Sequence, residues 1–341
     1  MQQVLVTGGG GFIGKALVRA LLERGVRVTV VGRNSYPDLE PLGVECRRGD
    51  IRDADFLEQA CVGQDTVFHV AAKAGVWGPR TEYFAINLHG TENVLAACRK
   101  AGVERLVYTS TPSVVFDREN LEGADERTPY ARRPLCAYAA SKIAAERAVL
   151  HANSQQLRTI AIRPHLVWGP GDRHLVPRLL ERGRAGALQV VGDGTNRVDI
   201  TYIDNAVQAH LLAADNLATS ASGAGQAFFI GQEEPVRLWS WINGLFARLD
   251  IPPVRRRVPF GVAWCVGLAL EALHLALRLE HEPRMTRFVA HQLARSHWFS
   301  HARALSLLGY RPVITTAEGL ERLVASLGDS DVPTPRSKAS N

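Results

Sequence analysis

Val4-Leu5-Val6-Thr7-Gly8-Gly9-Gly10-Gly11-Phe12-Ile13-Gly14 stands almost at the start of the chain. An apolar run enters a glycine cluster, and an amphipathic pattern, Lys15-Ala-Leu-Val-Arg-Ala-Leu-Leu-Glu-Arg24, follows it. The spacing Gly8-x-x-Gly11-x-x-Gly14 in a strand–turn–helix context predicts a dinucleotide-binding loop. Gly8 permits a tight turn, Gly11 lets backbone amides approach a pyrophosphate, and Gly14 lets the helix pack close to the strands. Phe12 and Ile13 begin the helix, whose positive end then faces the diphosphate. Gly25 is the expected C-cap.

The next apolar run ends Val30-Val31-Gly32-Arg33-Asn34. An acid at this point would hold the ribose hydroxyls of NAD. None is present, and the planar fork of Arg33 suits a 2′-phosphate, which favours NADP(H). The competing reading leaves Arg33 as a solvated loop arginine. Downstream, Gly49-Asp50-Ile51 follows a short strand pattern. Asp50 is a candidate acceptor for the adenine amino group, with a turn or helix-cap role as its alternative.

Further apolar runs at 66–70, 105–109 and 159–162 alternate with helical patterns. Such alternation predicts an α/β fold, a Rossmann-type doubly wound parallel sheet. After Gly169-Pro170-Gly171 the rhythm changes. We expect a dinucleotide-binding domain over 1–170 and a smaller, mostly helical substrate lobe over 171–327, with some elements returning to the first domain. The Ser/Asp/Pro/Lys-rich tail, 328–341, is expected to be disordered.

Tyr138-Ala-Ala-Ser-Lys142 opens a helical pattern, and a spacing of four puts Tyr138 and Lys142 on one face. A neighbouring ammonium favours the tyrosinate and eases proton exchange with a substrate oxygen. Before it, Tyr108-Thr109-Ser110-Thr111-Pro112-Ser113 carries hydroxyls out of a strand's carboxyl end, where open α/β sheets place their ligands.

The stretch 261–279, GVAWCVGLALEALHLALRL, is the most apolar in the chain. Glu271, His274 and Arg278 interrupt it, which argues against a membrane span. It reads either as a buried helix or as an apolar wall facing a greasy substrate or a membrane surface, with Arg255-Arg256-Arg257 just upstream. The net charge of +6 suits an anionic ligand or surface. No zinc-ligand spacing and no long basic tract occur, so neither a metal site nor nucleic-acid binding is expected. Five scattered cysteines and no room for a secretory signal point to a cytoplasmic protein with reduced thiols.

TGGGGFIG, FHVAAKAG, INLHGTENVLAAC, YTSTPSV, YAASK and IRPHLVWGPGD together resemble the extended short-chain dehydrogenase/reductases, over nearly the whole chain. The resemblance implies Tyr138 as general acid/base, Lys142 as its electrostatic partner and Thr111 as the carbonyl orienter, with Asn87 behind them. It places Ala71, Ala72, Lys73, Tyr138, Lys142 and Pro164 along the cofactor, Lys142 at its ribose. The closest likeness is to the 3β-hydroxysteroid and sterol dehydrogenase branch. Within it, AAKAGVWG, STPSVVFD, VGDGTNRVDITYIDNA, EPRMTRFVAHQLARSHWF and LGYRP resemble bacterial 2-alkyl-3-oxoalkanoate reductases of long-chain olefin biosynthesis.

That resemblance implies an NADPH-dependent ketoreductase on a fatty β-keto acid, a lipid-like substrate passed between enzymes of one pathway. Peripheral membrane contact and a homodimer are further candidates. A hydroxysteroid dehydrogenase is the alternative within the branch. A non-catalytic dinucleotide sensor or scaffold is disfavoured by the Tyr-x-x-x-Lys pair, and a sugar-nucleotide epimerase by the apolar lobe. Trp239, Trp241, Phe246 and the 261–279 stretch are the expected apolar substrate surface, and Lys73, Arg80 and His165 the candidate cations for its carboxylate.

Overall fold

A computed structural model describes residues 1–330. A seven-stranded parallel sheet runs through it: β1 (Gln3–Thr7), β2 (Arg27–Gly32), β3 (Glu45–Arg48), β4 (Thr66–His69), β5 (Arg105–Thr109), β6 (Arg158–Pro164) and β7 (Gln226–Ile230). Their spatial order is β7-β6-β5-β4-β1-β2-β3. The order reverses between β1 and β4, and that switch point is where a doubly wound sheet opens its ligand crevice.

Period-2 alternation sends the side chains of each strand to two buried faces. Val4, Val6, Val28, Val30 and Phe68 pack with Leu17, Val18 and Leu21 of α1 (Phe12–Glu23). Leu5, Val31, Val67 and Leu106 pack on the other face with Val94 and Leu95 of α2 (Gly90–Ala101). Both faces are apolar because helices cover both, as a parallel sheet requires. At 7-residue length β6 is the longest strand, and it leads into the second part of the chain.

Beyond β6 the chain contributes β7 to the main sheet, together with α4 (Ile203–Ala218), which lies against β5 and β6. A small four-stranded sheet joins 236–237, 197–198, 297–299 and 121–124, so it ties the first half of the chain to its last quarter. The chain also forms α3 (Ala137–His151), α5 (Phe260–Ala276) and α6 (Arg287–Ala294), the last two packed on each other. The final helix, α7 (Thr316–Ser330), continues through Gly328, so the first residues of the expected tail are helical. The rest of that expectation, 331–341, lies outside the described residues.

Two expectations are corrected here. Trp239, Trp241 and Phe246 do not face a substrate. They are core: Trp241 meets Trp168 edge-on at 5.2 Å, and Phe246 fills the space left by Gly183. The 261–279 stretch is not a buried helix. α5 buries only Ala263, Gly267, Glu271 and His274 and leaves most of its large apolar side chains exposed. No helix among the described residues is long and apolar enough to cross a membrane.

Candidate active site

The loop after β1 is shaped by two glycines. Gly8 has φ +71°, and a Cβ there would meet the Ala71 backbone at 2.8 Å. A Cβ on Gly14 would stand 2.2 Å from the Gly8 carbonyl oxygen. Only glycine lets α1 begin this close to the strand. No side chain caps the first turn of α1, so its amides remain available to an anion.

A cleft of about 420 Å³ opens over this turn. Gly8, Gly11, Phe12, Ile13, Gly14, Arg33, Asp50, Ile51, Ala71, Ala72 and Lys73 all line it, with Asn34, Tyr36 and Glu82 beside them. The cradle fits a dinucleotide: a glycine turn for the diphosphate and small residues for close approach. Arg33 is exposed at the rim and has no ion pair among the described residues. Asp50 is in the cleft, but Arg52 forks its carboxylate at 2.7 and 3.0 Å and holds it below the usual carboxylate range. That pairing favours the turn-aspartate reading. Lys73 bonds Glu82 at 2.6 Å, so its charge is already matched.

Tyr138 and Lys142 lie on α3, and Glu146 continues the same face. Lys142 is buried; its ammonium donates to the Thr109 carbonyl at 2.7 Å and sits 4.2 Å from the Tyr108 ring centroid. Burial pushes Lys142 down to about 7, against the pull of the Glu146 charge. Burial pushes the Tyr138 hydroxyl up to about 12, while the Thr111 hydroxyl draws it back. Thr111 follows β5 and is buried, donating to Ser113 Oγ at 3.2 Å. Glu146 is wholly buried and held by Arg163 through bonds of 2.9 and 2.5 Å, with Tyr130 donating at 2.7 Å. Pro164, at the end of β6, is buried, and neither it nor Tyr138 nor Lys142 lines the dinucleotide cleft.

Asn87 joins the cleft to α3. It lies in a π-helical segment, Ala85–His89, a rare geometry frequent at functional positions. Beneath it runs a chain of buried polar groups. Thr91 Oγ1 donates to the Asn87 carbonyl at 2.7 Å and accepts from His69 Nε2 at 2.8 Å. His69 Nδ1 then accepts from Thr7 Oγ1 at 2.7 Å, and Thr7 accepts from the Ala71 amide at 3.3 Å. Every direction follows from the carbonyl at one end. Thr7, His69, Thr91, Ser141, Tyr36 and Glu82 were not foreseen. A histidine closing a buried strand, Thr66-Val-Phe-His69, was the one available signal.

The expected carboxylate cations do not assemble. Arg80 is exposed and stacks on Phe84 at 4.4 Å. His165 is buried and donates to His297 Nδ1 at 2.6 Å; burial holds it far below the usual imidazole range, so it carries no charge. Tyr83 sits with its ring 6.5 Å from Tyr138 and donates to the Trp77 carbonyl at 3.0 Å. Among the described residues no cluster of His, Cys, Asp and Glu could hold a metal ion.

A family model for the 3-beta hydroxysteroid dehydrogenase/isomerase family matches residues 5–260. A 2-alkyl-3-oxoalkanoate reductase from Stenotrophomonas maltophilia is 49% identical over 95% of this chain and 99% of that protein. One from Shewanella oneidensis is 47% identical over 96% of this chain and 87% of that protein. A decarboxylating sterol-4-alpha-carboxylate 3-dehydrogenase from Mus musculus is 35% identical, covering 94% of this chain and 90% of that protein. Among solved structures, MoeE5 in complex with UDP-glucose and NAD superposes with a TM-score of 0.74 at 28% identity, over 96% of this chain and 99% of that one.

Proposed function

The chain belongs to the 3-beta hydroxysteroid dehydrogenase/isomerase family and is an NAD(P)-dependent oxidoreductase; from that premise we propose that it reduces the 3-keto group of a long-chain 2-alkyl-3-oxoalkanoic acid, using NADPH. The observation that carries this reading is the match to two reductases of that name along almost the whole chain. The mouse relative's name describes similar chemistry: an oxygen at carbon 3 beside a carbon that bears a carboxylate.

The bound cofactor supplies the hydride. The residues of this chain manage the proton and the geometry. Tyr138, with its hydroxyl pushed up to about 12, keeps its proton at neutral pH and gives it to the carbonyl oxygen as the carbon is reduced. The Thr111 hydroxyl hydrogen-bonds that oxygen. Lys142, one turn along the same helix face, offers positive charge to the tyrosinate left behind. Arg33, with no acid at the end of β2, takes the 2′-phosphate. The product is the 3-hydroxy acid.

The test is a panel assay of the purified protein with NADPH and NADH against long-chain 2-alkyl-3-oxo acids, their short-chain analogues and 3-oxosteroids. NADPH-dependent reduction whose kcat/KM rises with acyl length is expected. Turnover confined to steroids would replace this reading with the hydroxysteroid dehydrogenase alternative, which the 35% identical sterol relative favours.

A further inference from the structure

From Leu106 to Phe116 every residue is buried except Ser113. It lies two positions after Thr111, in the short 3₁₀ turn Pro112–Val114 that follows β5. Pro112 and Val114 on either side of it are closed off from solvent. One polar side chain is therefore left open on an otherwise sealed segment, next to the hydroxyl that orients the carbonyl. The reaction assigned above does not use it.

Ser113 Oγ stands 3.2 Å from Thr111 Oγ1, and the Ser113 amide donates to that same oxygen at 3.3 Å. The amide occupies a lone pair of Thr111 and leaves the threonine proton free to turn to a substrate oxygen. Thr111 also reaches the Tyr138 hydroxyl, which it draws down against the effect of burial. The Ser113 hydroxyl proton has no acceptor among the described residues. A second, uncommitted donor thus stands beside the pair that binds the reacting oxygen.

The chemistry of a 3-oxo acid fits two donors at this spacing. Its carboxylate and its carbonyl are separated by one carbon, so the nearer carboxylate oxygen and the carbonyl oxygen can lie side by side, about 3 Å apart, like a hydrogen-bonded pair of oxygens. Whatever holds the carboxylate must therefore stand next to Thr111 and Tyr138. The cations expected for it are committed elsewhere: Lys73 to Glu82, Arg80 to the Phe84 ring, and His165 neutral against His297. A hydroxyl is a sufficient partner, because a bond to an ionised acceptor is about twice as strong as one between neutral groups. That difference also draws the Ser113 proton to a carboxylate in preference to Thr111 Oγ1.

We propose that Ser113 reads the substrate's carboxylate: its hydroxyl donates to one carboxylate oxygen while Thr111 and Tyr138 hold the oxygen on carbon 3. The inference rests on the 3-oxo acid reading given above and adds to it the residue that selects for the acid. A 3-oxosteroid without a neighbouring carboxylate offers Ser113 no such partner. The two hydroxyls, set two residues apart on one turn, then divide the work: Thr111 serves the reacting centre, and Ser113 recognises the group beside it.

The experiment runs the reaction backwards, because a 3-hydroxy acid is stable where a 3-oxo acid loses carbon dioxide. The full chain is assayed for oxidation of a 2-alkyl-3-hydroxy acid and of its methyl ester, with NADP⁺ and NAD⁺ supplied, and kcat/KM is compared between the two compounds. The wild type should favour the acid. Ser113→Ala should lower the acid-to-ester ratio by roughly fivefold or more, because the ester keeps only a neutral acceptor. Ser113→Thr keeps a hydroxyl and should retain most of the ratio. Titration of NADPH onto each variant checks that the fold is intact. A wild type inactive on both compounds overturns the assigned reaction, and this inference with it. A wild type active on both, with a ratio that Ser113→Ala leaves unchanged, overturns this inference alone. So does an equal loss on acid and ester, which would make Ser113 a support for Thr111.

Discussion

Asn87 donates through its side-chain amide to Ser141 Oγ at 3.0 Å, and Ser141 donates in turn to the Tyr138 carbonyl at 2.8 Å. The same amide donates to the Lys73 carbonyl at 3.0 Å, while its oxygen accepts from the Lys73 amide at 2.7 Å. One buried side chain thus fixes the cofactor cleft relative to the catalytic helix. Asn87→Ala strips all three bonds and leaves buried backbone groups at Lys73 unpaired, at a cost of about 1–3 kcal/mol. A lower Tm and a kcat reduced by roughly tenfold or more are expected. A lower Tm with unchanged kcat would make Asn87 a fold residue and nothing more.

Tyr138 holds its proton through the neutral range because burial pushes it up to about 12. Removing the hydroxyl removes the proton donor but not the walls of the dinucleotide cleft, which Tyr138 does not line. Tyr138→Phe should lower kcat by roughly 10²–10⁴-fold and leave the NADPH dissociation constant nearly unchanged. Titration of NADPH onto the variant, beside its steady-state rate, checks both halves. Near-normal turnover would overturn the role.

Arg33 stands at the rim of the cleft with no acid on β2 to hold a ribose hydroxyl. A guanidinium bonded to a phosphate is worth about 1.5–3 kcal/mol, which is roughly 10- to 100-fold in affinity. Arg33→Ala should weaken NADPH by that factor and leave NADH nearly unchanged. Equal losses for the two nucleotides would show that the arginine does not read the phosphate.

What the sequence made legible is local. The glycine turn, the strand alternation and the Tyr138–Lys142 face are each written within a dozen residues, where backbone sterics and helical periodicity act directly. What stayed hidden depends on distant partners. His165 meets His297 across 132 positions, and that buried pairing removes the charge the loop position suggested. Lys73 and Asp50 are neutralised by neighbours, Glu82 and Arg52, that nothing in a motif singles out. The small sheet is assembled from short strands that carry no periodic signal. α5 is apolar on nearly all sides, so no face could be assigned until Gly267 and Glu271 were seen pressed against α6. The aromatic side chains of Trp241 and Phe246 read as surface or core alike until their packing against Trp168 and Gly183 was known, and Trp239 until its burial was.

Four of the buried histidines, His69, His165, His210 and His297, are neutral in the fold. His69 is pushed down to about 3 and His210 to about 4, and His165 and His297 are also lowered, burial being the first cause in each. His210 is fixed in that state, accepting from Thr109 Oγ1 and donating to the Ala206 carbonyl. In the unfolded chain each titrates near 6.5. Above that pH neither state is protonated and these groups contribute no pH dependence. Below it the unfolded chain takes up protons that the fold refuses, so stability falls by about 1.4 kcal/mol per pH unit per histidine. For His69 and His210 together that is roughly 3 kcal/mol per unit, against a total stability of about 5–15 kcal/mol, and His165 and His297 act in the same direction. Buried Glu146, whose carboxyl is held low by Arg163, adds to the loss only once the pH approaches the unfolded carboxylate value of about 4.3. Tm should therefore decline as pH drops below about 6.5, well before carboxylates titrate. Thermal melts followed by circular dichroism from neutral pH downward measure it, and a Tm that stays level until carboxylates titrate would show that the four rings accept protons within the fold.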